Sequence, residues 1–334
     1  MRAMARVLAI LFLLFSVVLG TAATFVIRYQ PKQRPPAPEA VARTPERTLR
    51  GRYLAEAALG CMDCHAQHDI TRFGSPVTGP IGAGGDCFGA KERFPGTLCM
   101  PNLTPDMATG LGGWSDGEIK RAIREGVGKN GQALFPIMPY SEYRALSDSD
   151  TDAVVAYLRS LPAVTNPVPR ADIDFPVRFF IKLAPSPLDG PVPDPDPADV
   201  VATGRYLARV SGCIACHSPV DQRHQPLLGQ ELSGGQEFTG AFGVLRSANL
   251  TPHPTGLGDR TQAAFVGLFK SFDVPATTLP QVEAKNGTIM PWLSRARMTE
   301  SDLGAIYAFL RTVPAIERTI EKRPRPTLAG SPPP

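Results

Sequence analysis

Two pentapeptides in the chain place two cysteines and a histidine at the same spacing. Both spell C-x-x-C-H, and they read Cys61-Met62-Asp63-Cys64-His65 and Cys213-Ile214-Ala215-Cys216-His217. Two thiols separated by two residues on a helical turn can bond the two vinyl groups of one porphyrin, and the next residue can direct its imidazole to the iron. The sequence therefore predicts two covalently bound haem c groups, with one histidine of each pentapeptide as the proximal iron ligand.

A shared zinc ion is the alternative interpretation of the four cysteines. Zinc can bind four thiolates from two CxxC pairs, but these pairs stand 152 residues apart and a proline-rich segment lies between them. A zinc site would also leave His65 and His217 without a role. Haem attachment accounts for all six residues, so we prefer it.

Two methionines keep the same distance from these motifs, because Met138 and Met290 each follow the first cysteine of a motif by 77 residues. Each is followed by a proline and an aromatic residue. The competing methionines do not recur at the repeat offset, and they are Met100, Met107 and Met298. Since a haem iron held by histidine can take a methionine sulfur on its opposite face, the spacing predicts Met138 and Met290 as the sixth iron ligands.

Three further histidines, His68, His224 and His253, are the other possible iron ligands. His68 stands three residues after His65 on what should be the same helix, so it cannot reach the opposite face of the haem. We interpret all three as surface histidines.

The free nitrogen of each proximal histidine needs a partner that fixes the orientation of the ring. The turn at 226–229 could supply a carbonyl to His217, and Pro76 or Pro80 could supply one to His65. Two roles are open for a second pair of repeated residues, donation to haem propionates or an Asx-turn. These residues begin the sequences Asn102-Leu103-Thr104-Pro105 and Asn249-Leu250-Thr251-Pro252.

The chain repeats itself at a fixed offset. Four positions recur 152 residues later, and the pairs are Cys61 and Cys213, Met138 and Met290, Ser147 and Thr299, and Pro162 and Pro314. A stretch with ten prolines, 162–200, separates the two copies, and such a composition should not sustain a helix or a central strand. The predicted units are an anchor or signal (1–28), a proline-rich tether (29–47), a first haem domain (48–162), a linker (163–200), a second haem domain (201–315) and a proline-rich tail (316–334).

Each copy is predicted to be mostly helical. An apolar-periodic helix precedes each CxxCH motif, and a second helix with capping-box spacing begins at Ser147 or Thr299 and ends before a proline. A middle helix is expected to begin at Ser115, and its counterpart at Asp259. The fold class is therefore all-α, with two tandem domains of short helices around covalent haem.

Cys87 and Cys99 lie twelve residues apart in an insertion that is specific to the first copy. In an oxidising compartment, a disulfide between them is the simplest interpretation. A free redox pair is the alternative.

The N-terminal run from Val7 to Ile27 contains 21 uncharged residues, follows Arg2 and Arg6, and ends at Arg28. That length can cross a bilayer as one helix. A cleaved signal peptide is the alternative, with small residues at 20 and 22 before the cut. We expect a retained anchor, and either interpretation exports the remainder of the chain. The proline-rich residues after it should form an extended tether outside any core.

The composition excludes a nucleic-acid binder. The chain carries a formal charge of +4, but residues 1–50 hold eight Lys and Arg against two Asp and Glu, so residues 51–334 sum to −2. Nucleic-acid binding requires a basic surface. The 43% of apolar residues is enough to bury real cores in two domains.

Each half resembles a class I cytochrome c, with CxxCH early, methionine late and a terminal helix that packs on the first one. The resemblance is strongest to the cytochrome c subunits of membrane-bound alcohol and gluconate dehydrogenases, and it covers about residues 50–315. It rests on Asn102-Leu-Thr-Pro, Trp114-Ser-Asp, Met138-Pro-Tyr and Tyr157-Leu-Arg-Ser-Leu-Pro162. Those subunits usually carry three haem domains, whereas this sequence has two CxxCH motifs. The resemblance implies electron transfer.

Two irons that both carry histidine and methionine are closed to substrate, so the expected role is a relay rather than an enzyme. The expected electron donor is a periplasmic or membrane dehydrogenase, and the expected acceptor is a quinone, a soluble cytochrome or a terminal oxidase. The expected location is the inner membrane, with a single span and both haem domains in the periplasm. The alternative is a dihaem cytochrome c peroxidase-like enzyme, in which one haem loses its distal ligand. The two Met-Pro sequences argue against it.

Overall fold

The computed structural model describes residues 2–92, 94–221, 226–240 and 242–324. Its first element, helix α1 (Arg2–Arg28), is apolar and lies outside the packed part of the chain. Within the described residues, α1 is the single helix that is long and apolar enough to cross a membrane, and a signal sequence would meet the same criterion.

Four helices form the first half around its CxxCH motif. They are α2 (Pro45–Tyr53), α3 (Asp116–Glu125), α4 (Tyr140–Tyr143) and α5 (Asp148–Ser160). Helix α2 continues as a π-helical turn, Leu54–Ala58, and the motif itself begins a 3₁₀ turn, Cys61–Asp63. The predicted starts of α3 and α5 are confirmed, because the Ser115 and Ser147 side chains each accept a hydrogen bond from a backbone N–H in the first turn.

A small sheet and the linker follow. Strands β1 (Cys87–Phe88), β2 (Gly96–Cys99) and β3 (Asp172–Ile173) pair antiparallel in that order. The linker also contains helix α6 (Val177–Phe180) and a 3₁₀ turn, Ile181–Leu183. The expectation that the linker would hold no helix was therefore wrong. Its prolines cluster on either side of 177–183, and the strand lies at the sheet edge, where fewer backbone donors are needed.

The second half repeats the arrangement of the first. Its helices are α7 (Val200–Val210), α8 (Cys213–His217), α9 (Gln262–Lys270), α10 (Trp292–Ala296) and α11 (Glu300–Leu310), and its strands are β4 (Glu237–Gly240) and β5 (Gly243–Arg246). Helix α9 begins after Thr261, whose side chain accepts from the N–H of Ala264, and not after the predicted Asp259. The hydroxyl of Thr261 is two residues nearer to the apolar stripe of the helix, so it caps the helix in place of the carboxylate.

Glycine permits the helix crossing in each half. A Cβ atom on Gly51 in α2 would lie 1.8 Å from the carbonyl oxygen of Ala153 in α5. In the second half, a Cβ on Gly204 in α7 would lie 1.9 Å from the oxygen of Ala305 in α11. These two glycines open the repeated sequence Gly-Arg-Tyr-Leu, so the repeat marks the point where the two long helices touch.

The tether contains no helix or strand from 29 to 44, as predicted, but it is not free of the first half. Arg34 pairs with Glu125 at 2.7 Å, and the backbone N–H of Val41 donates to Asp116 at 2.9 Å. Val41 is 7% exposed and packs in the core. The prediction of a tether outside any core was wrong for this residue, because one apolar side chain among the prolines is enough to dock the segment.

The two halves contact each other through equivalent residues. Tyr53 donates to Asp302 and accepts from the N–H of Thr299 at 3.2 Å. In the reverse direction, Tyr206 donates to Asp150 at 2.7 Å and accepts from the N–H of Ser147 at 3.4 Å. Each tyrosine of the repeated Gly-Arg-Tyr-Leu sequence therefore contacts the first turn of the last helix in the other half.

Candidate haem sites

The histidine of each CxxCH motif is buried and held by one backbone carbonyl. His65 is 8% exposed and its Nδ1 lies 2.8 Å from the oxygen of Pro101. His217 is 9% exposed and its Nδ1 lies 2.8 Å from the oxygen of Ala248. A carbonyl can only accept, so Nδ1 carries the proton in both rings and Nε2 presents its lone pair.

Electrostatics keep both imidazoles in the form that binds iron. Burial lowers the pKa of His65 and of His217, and the carbonyl bond at Nδ1 opposes that shift without reversing it. Neutral imidazole is the metal-binding form. Within the described residues, neither Nε2 atom has a hydrogen-bond partner, so each is available to an iron.

The expected carbonyl partners of the histidines were wrong. Neither Pro76 nor Pro80 bonds to His65, and the turn at 226–229 does not bond to His217; Pro101 and Ala248 take these positions. Both residues immediately precede the repeated Asn-Leu-Thr-Pro sequence. That repeat was the signal that could have identified them, since two copies of one haem site should take their carbonyls from equivalent loops.

The repeated asparagines form Asx-turns, which was one of their two open roles. The N–H and hydroxyl of Thr104 donate to Asn102 Oδ1 at 2.9 and 2.8 Å, and Thr251 makes the same two bonds to Asn249. The asparagine amides donate to Val164 and Ile316 carbonyls at 2.7 and 2.9 Å. The side chains are thus used to pin the loops that carry the histidine-binding carbonyls.

The four motif cysteines are free thiols in this chain. Cys61 and Cys213 are half-buried against the core, and Cys64 and Cys216 are exposed. Burial raises the pKa of Cys61 to about 12 and that of Cys213 to about 11. Each motif therefore offers two unpaired thiols beside one imidazole, which is the donor set that covalent haem requires.

A zinc site is not formed by these residues. Among the described residues, no three His, Cys, Asp or Glu side chains converge on a point that could hold a metal ion. The two CxxC pairs therefore do not make the four-thiolate cluster that the zinc alternative requires.

Met138 and Met290 occupy equivalent places in the two halves. Both are half-buried and pack against the same hydrophobic core as Cys61 and Cys213. Their carbonyls accept from the N–H of Tyr140 and Trp292, each at 2.8 Å. The competing methionines are placed differently: Met100 packs with the small sheet, Met107 is 74% exposed and Met298 is fully buried.

The remaining histidines include one wrong prediction. His68 is not a surface residue, because its side chain is 6% exposed, its Nδ1 lies 2.7 Å from Asp86 and its Nε2 lies 3.1 Å from the Met62 carbonyl. It does not share a helix with His65, since the chain turns after the motif and His68 bridges to Val77. His253 is half-buried and bonds to Thr255. His224 lies outside the described residues.

The predicted disulfide is confirmed. Cys87 and Cys99 are bonded, and they face each other across strands β1 and β2. The bond closes the insertion of the first half and lies outside the helices that carry the haem motif.

Comparisons with known proteins match these features. Residues 49–162 match the family model described as Cytochrome c. The gluconate 2-dehydrogenase cytochrome c subunit of Pantoea cypripedii is 35% identical over 182 residues, 51% of this chain and 37% of that protein. A quinone-type alcohol dehydrogenase cytochrome c subunit of Komagataeibacter europaeus is 28% identical over 297 residues, 83% of this chain and 59% of that protein.

A third relative is the diheme cytochrome c-type protein of Cereibacter sphaeroides, 28% identical over 265 residues, 77% of this chain and 83% of that protein. The chain spans less than two thirds of the length of the two dehydrogenase subunits, 37% of one and 59% of the other. Their names agree with the prediction of an electron-transfer role without catalysis of its own, and they give no support to the peroxidase alternative.

Proposed function

Since residues 49–162 form a cytochrome c domain and covalent haem c is the cofactor of that family, we propose that the whole chain is a dihaem electron carrier. It takes electrons from a dehydrogenase and passes them towards the respiratory chain. The observation that carries the proposal is the duplicated histidine geometry. His65 and His217 each have Nδ1 at 2.8 Å from a carbonyl and a free Nε2.

The proposed sites use equivalent residues in two tandem domains, 48–162 and 201–315. The haem supplies one-electron chemistry when bound. The chain attaches each porphyrin, aims one imidazole, supplies one thioether sulfur and keeps water from the iron by burial. The residues assigned to these roles are Cys61, Cys64, His65 and Met138, and Cys213, Cys216, His217 and Met290.

The proposed electron-transfer partners are based on the names of the relatives. The relatives are named as cytochrome c subunits of gluconate and alcohol dehydrogenases, so a periplasmic or membrane dehydrogenase is the proposed donor. A quinone, a soluble cytochrome or a terminal oxidase is the proposed acceptor. Helix α1 is the proposed anchor in the inner membrane, with both haem domains in the periplasm.

The intact mass of the mature full-length protein tests the cofactor content. We expect two haem additions, and fewer than two would overturn the dihaem proposal. The reduced protein should bind carbon monoxide poorly at both haems and should not turn over peroxide, because Met138 and Met290 would leave neither iron open. Ready carbon monoxide binding would contradict the relay.

Carbonate extraction tests the anchor separately. The protein should stay with the membrane pellet, and N-terminal sequencing should not begin near Ala23. A soluble protein that begins there would show a cleaved signal and would leave the haem proposal unaffected.

A further inference from the structure

One arginine lies between the two haem motifs. Arg295 is in α10, five residues after Met290, and is 6% exposed. Its guanidinium donates to the carbonyl of Ala57 at 2.5 Å and to the carbonyl of Ser211 at 2.9 Å. Ala57 lies four residues before the first motif and Ser211 two residues before the second. A single buried cation therefore bonds to the segments that enter both motifs.

The cation also lies beside Gly60 and is linked to Asp63 of the first motif through Ser294. Its Nη1 would lie 3.1 Å from a Cβ on Gly60, the residue before Cys61. Nη1 is 3.3 Å from Ser294 Oγ, and that hydroxyl donates to Asp63 at 2.6 Å. Within the described residues, no carboxylate oxygen lies within 4 Å of the guanidinium. Its guanidinium is thus bound directly by carbonyls, and it meets the Asp63 carboxylate through the Ser294 hydroxyl rather than in a direct ion pair.

The field of this charge reaches both motifs. Burial raises the pKa of the Cys213 thiol to about 11, and the positive charge of Arg295 opposes the rise. The same charge opposes the rise caused by burial at Cys61. One sulfur of each motif is therefore within its electrostatic range.

The first half shows that the bond to the carbonyl before the motif does not need a charged side chain. The residue equivalent to Arg295 is Tyr143, whose hydroxyl donates to the Leu59 carbonyl at 2.9 Å. Leu59 is the equivalent of Ser211. A neutral phenol thus makes the bond within the first half, whereas the second half adds a positive charge and a second bond, to Ala57 in the other half.

We propose that Arg295 is a shared positioning residue whose charge raises the reduction potential of both haems. The inference rests on the proposed function, since it requires a haem at each motif. An oxidised haem carries one more positive charge than a reduced haem, so a buried cation nearby disfavours the oxidised form. The effect should be large because few solvent molecules screen the charge at 6% exposure.

Redox titration of the full-length holoprotein, followed by visible spectra, tests the proposal. Arg295→Gln should lower the reduction equilibrium constant of each haem at least tenfold, which is 59 mV for one electron. Arg297→Gln is the matched control. Arg297 stands two residues after Arg295 and carries the same charge, but its side chain is 54% exposed. That variant should change neither constant by more than about threefold.

Two further variants separate charge from folding. Arg295→Lys keeps the charge and should keep both potentials within about threefold of the wild type. Arg295→Tyr copies Tyr143, so it should fold and show the lowered potentials even where the glutamine variant does not fold. The proposal is overturned if the tyrosine variant keeps both wild-type potentials or if the potential of only one haem shifts. It is also overturned if the potentials of the lysine variant fall as far as those of the tyrosine variant.

The same samples distinguish this failure from failure of the proposed function. Fewer than two haems in the wild-type mass would defeat the dihaem carrier itself. Two haems whose potentials do not change in the Arg295 variants would contradict only the inference about the arginine.

Discussion

The two halves of the chain hold their haem motifs in the same way but differ around them. Both use a glycine at the helix crossing, a carbonyl on the motif histidine and an Asx-turn that fixes this carbonyl. The first half alone has a disulfide-closed strand pair, and the second half alone has an arginine where the first has a tyrosine. The shared features hold the two motifs that we propose as haem sites. The unshared ones are where the two proposed sites can differ in potential and surface.

The largest expected effect is at the shared helix crossing. Gly51→Ala and Gly204→Ala each place a Cβ less than 2 Å from a carbonyl oxygen, and the helices cannot separate without losing their core. We expect each variant to lose about 4 kcal/mol or more of unfolding free energy. Denaturant titration and haem content measure this loss.

Gly267→Ala is the matched control for both variants. Gly267 also lies inside a helix, α9, but a Cβ there meets nothing within 4 Å. This variant should gain up to about 1 kcal/mol, because alanine is the better helix former. A Gly51→Ala protein as stable as the wild type would show that the two halves are not built on the same crossing.

The next effect concerns the feature that only the first half has. Replacing both Cys87 and Cys99 with serine should cost about 3 kcal/mol, because a loop of twelve residues is no longer closed in the unfolded state. Both haems should remain attached, since the disulfide lies outside the helices around the motif. Urea titration and intact mass measure the two outcomes. Labelling of either thiol in unreduced, denatured wild type would contradict the bond.

The methionines test whether the two sites are independent. Met138→Leu should lower the reduction constant of one haem at least tenfold, about 1.4 kcal/mol, and should open that iron to carbon monoxide. Met290→Leu should do the same to the other haem. Met107→Leu is the control, since Met107 is 74% exposed and should change neither. If Met138→Leu alters neither haem, a different side chain holds that iron.

Much of this arrangement could be predicted from residue spacing. Three features depend on residues that are close together in the sequence: the motifs, the capped helices at Ser115 and Ser147, and the disulfide. Such residues are also close together in the fold, so their spacing is a direct guide. The repeat offset also identified Met138 and Met290 as equivalent positions. Their role as iron ligands stays a prediction.

Several errors have one physical cause, which is that they concern contacts between distant segments. The carbonyl on His65 comes from Pro101, 36 residues away, and nearby prolines were the wrong place to look. His68 became buried because Asp86 folds back on it. The reciprocal tyrosines were missed entirely, although both stand in the repeated Gly-Arg-Tyr-Leu sequence. The sequence of one half does not show that its tyrosine will bond to the last helix of the other half.

The smallest expected effect tests those tyrosines and the symmetry between the halves. Tyr206→Phe leaves Asp150 paired with Arg50 at 2.8 Å through both carboxylate oxygens. Tyr53→Phe leaves half-buried Asp302, which has no cation within ion-pair distance in the described residues. Each loss should be about 1 kcal/mol, and Tyr53→Phe should cost the more because no second partner remains.

Calorimetric unfolding of the holoprotein measures this difference. The shape of the unfolding transition also shows whether the two halves unfold together. Tyr307→Phe is the control, since Tyr307 donates to the Arg260 carbonyl within the second half at 2.8 Å. It should lower stability without changing how the two halves unfold relative to each other. The double variant Tyr53→Phe/Tyr206→Phe should instead broaden the transition or split it in two, because both bonds join one half to the other. A single sharp transition in the double variant would mean that Arg295 and the apolar contacts, rather than the exchanged tyrosines, hold the halves together.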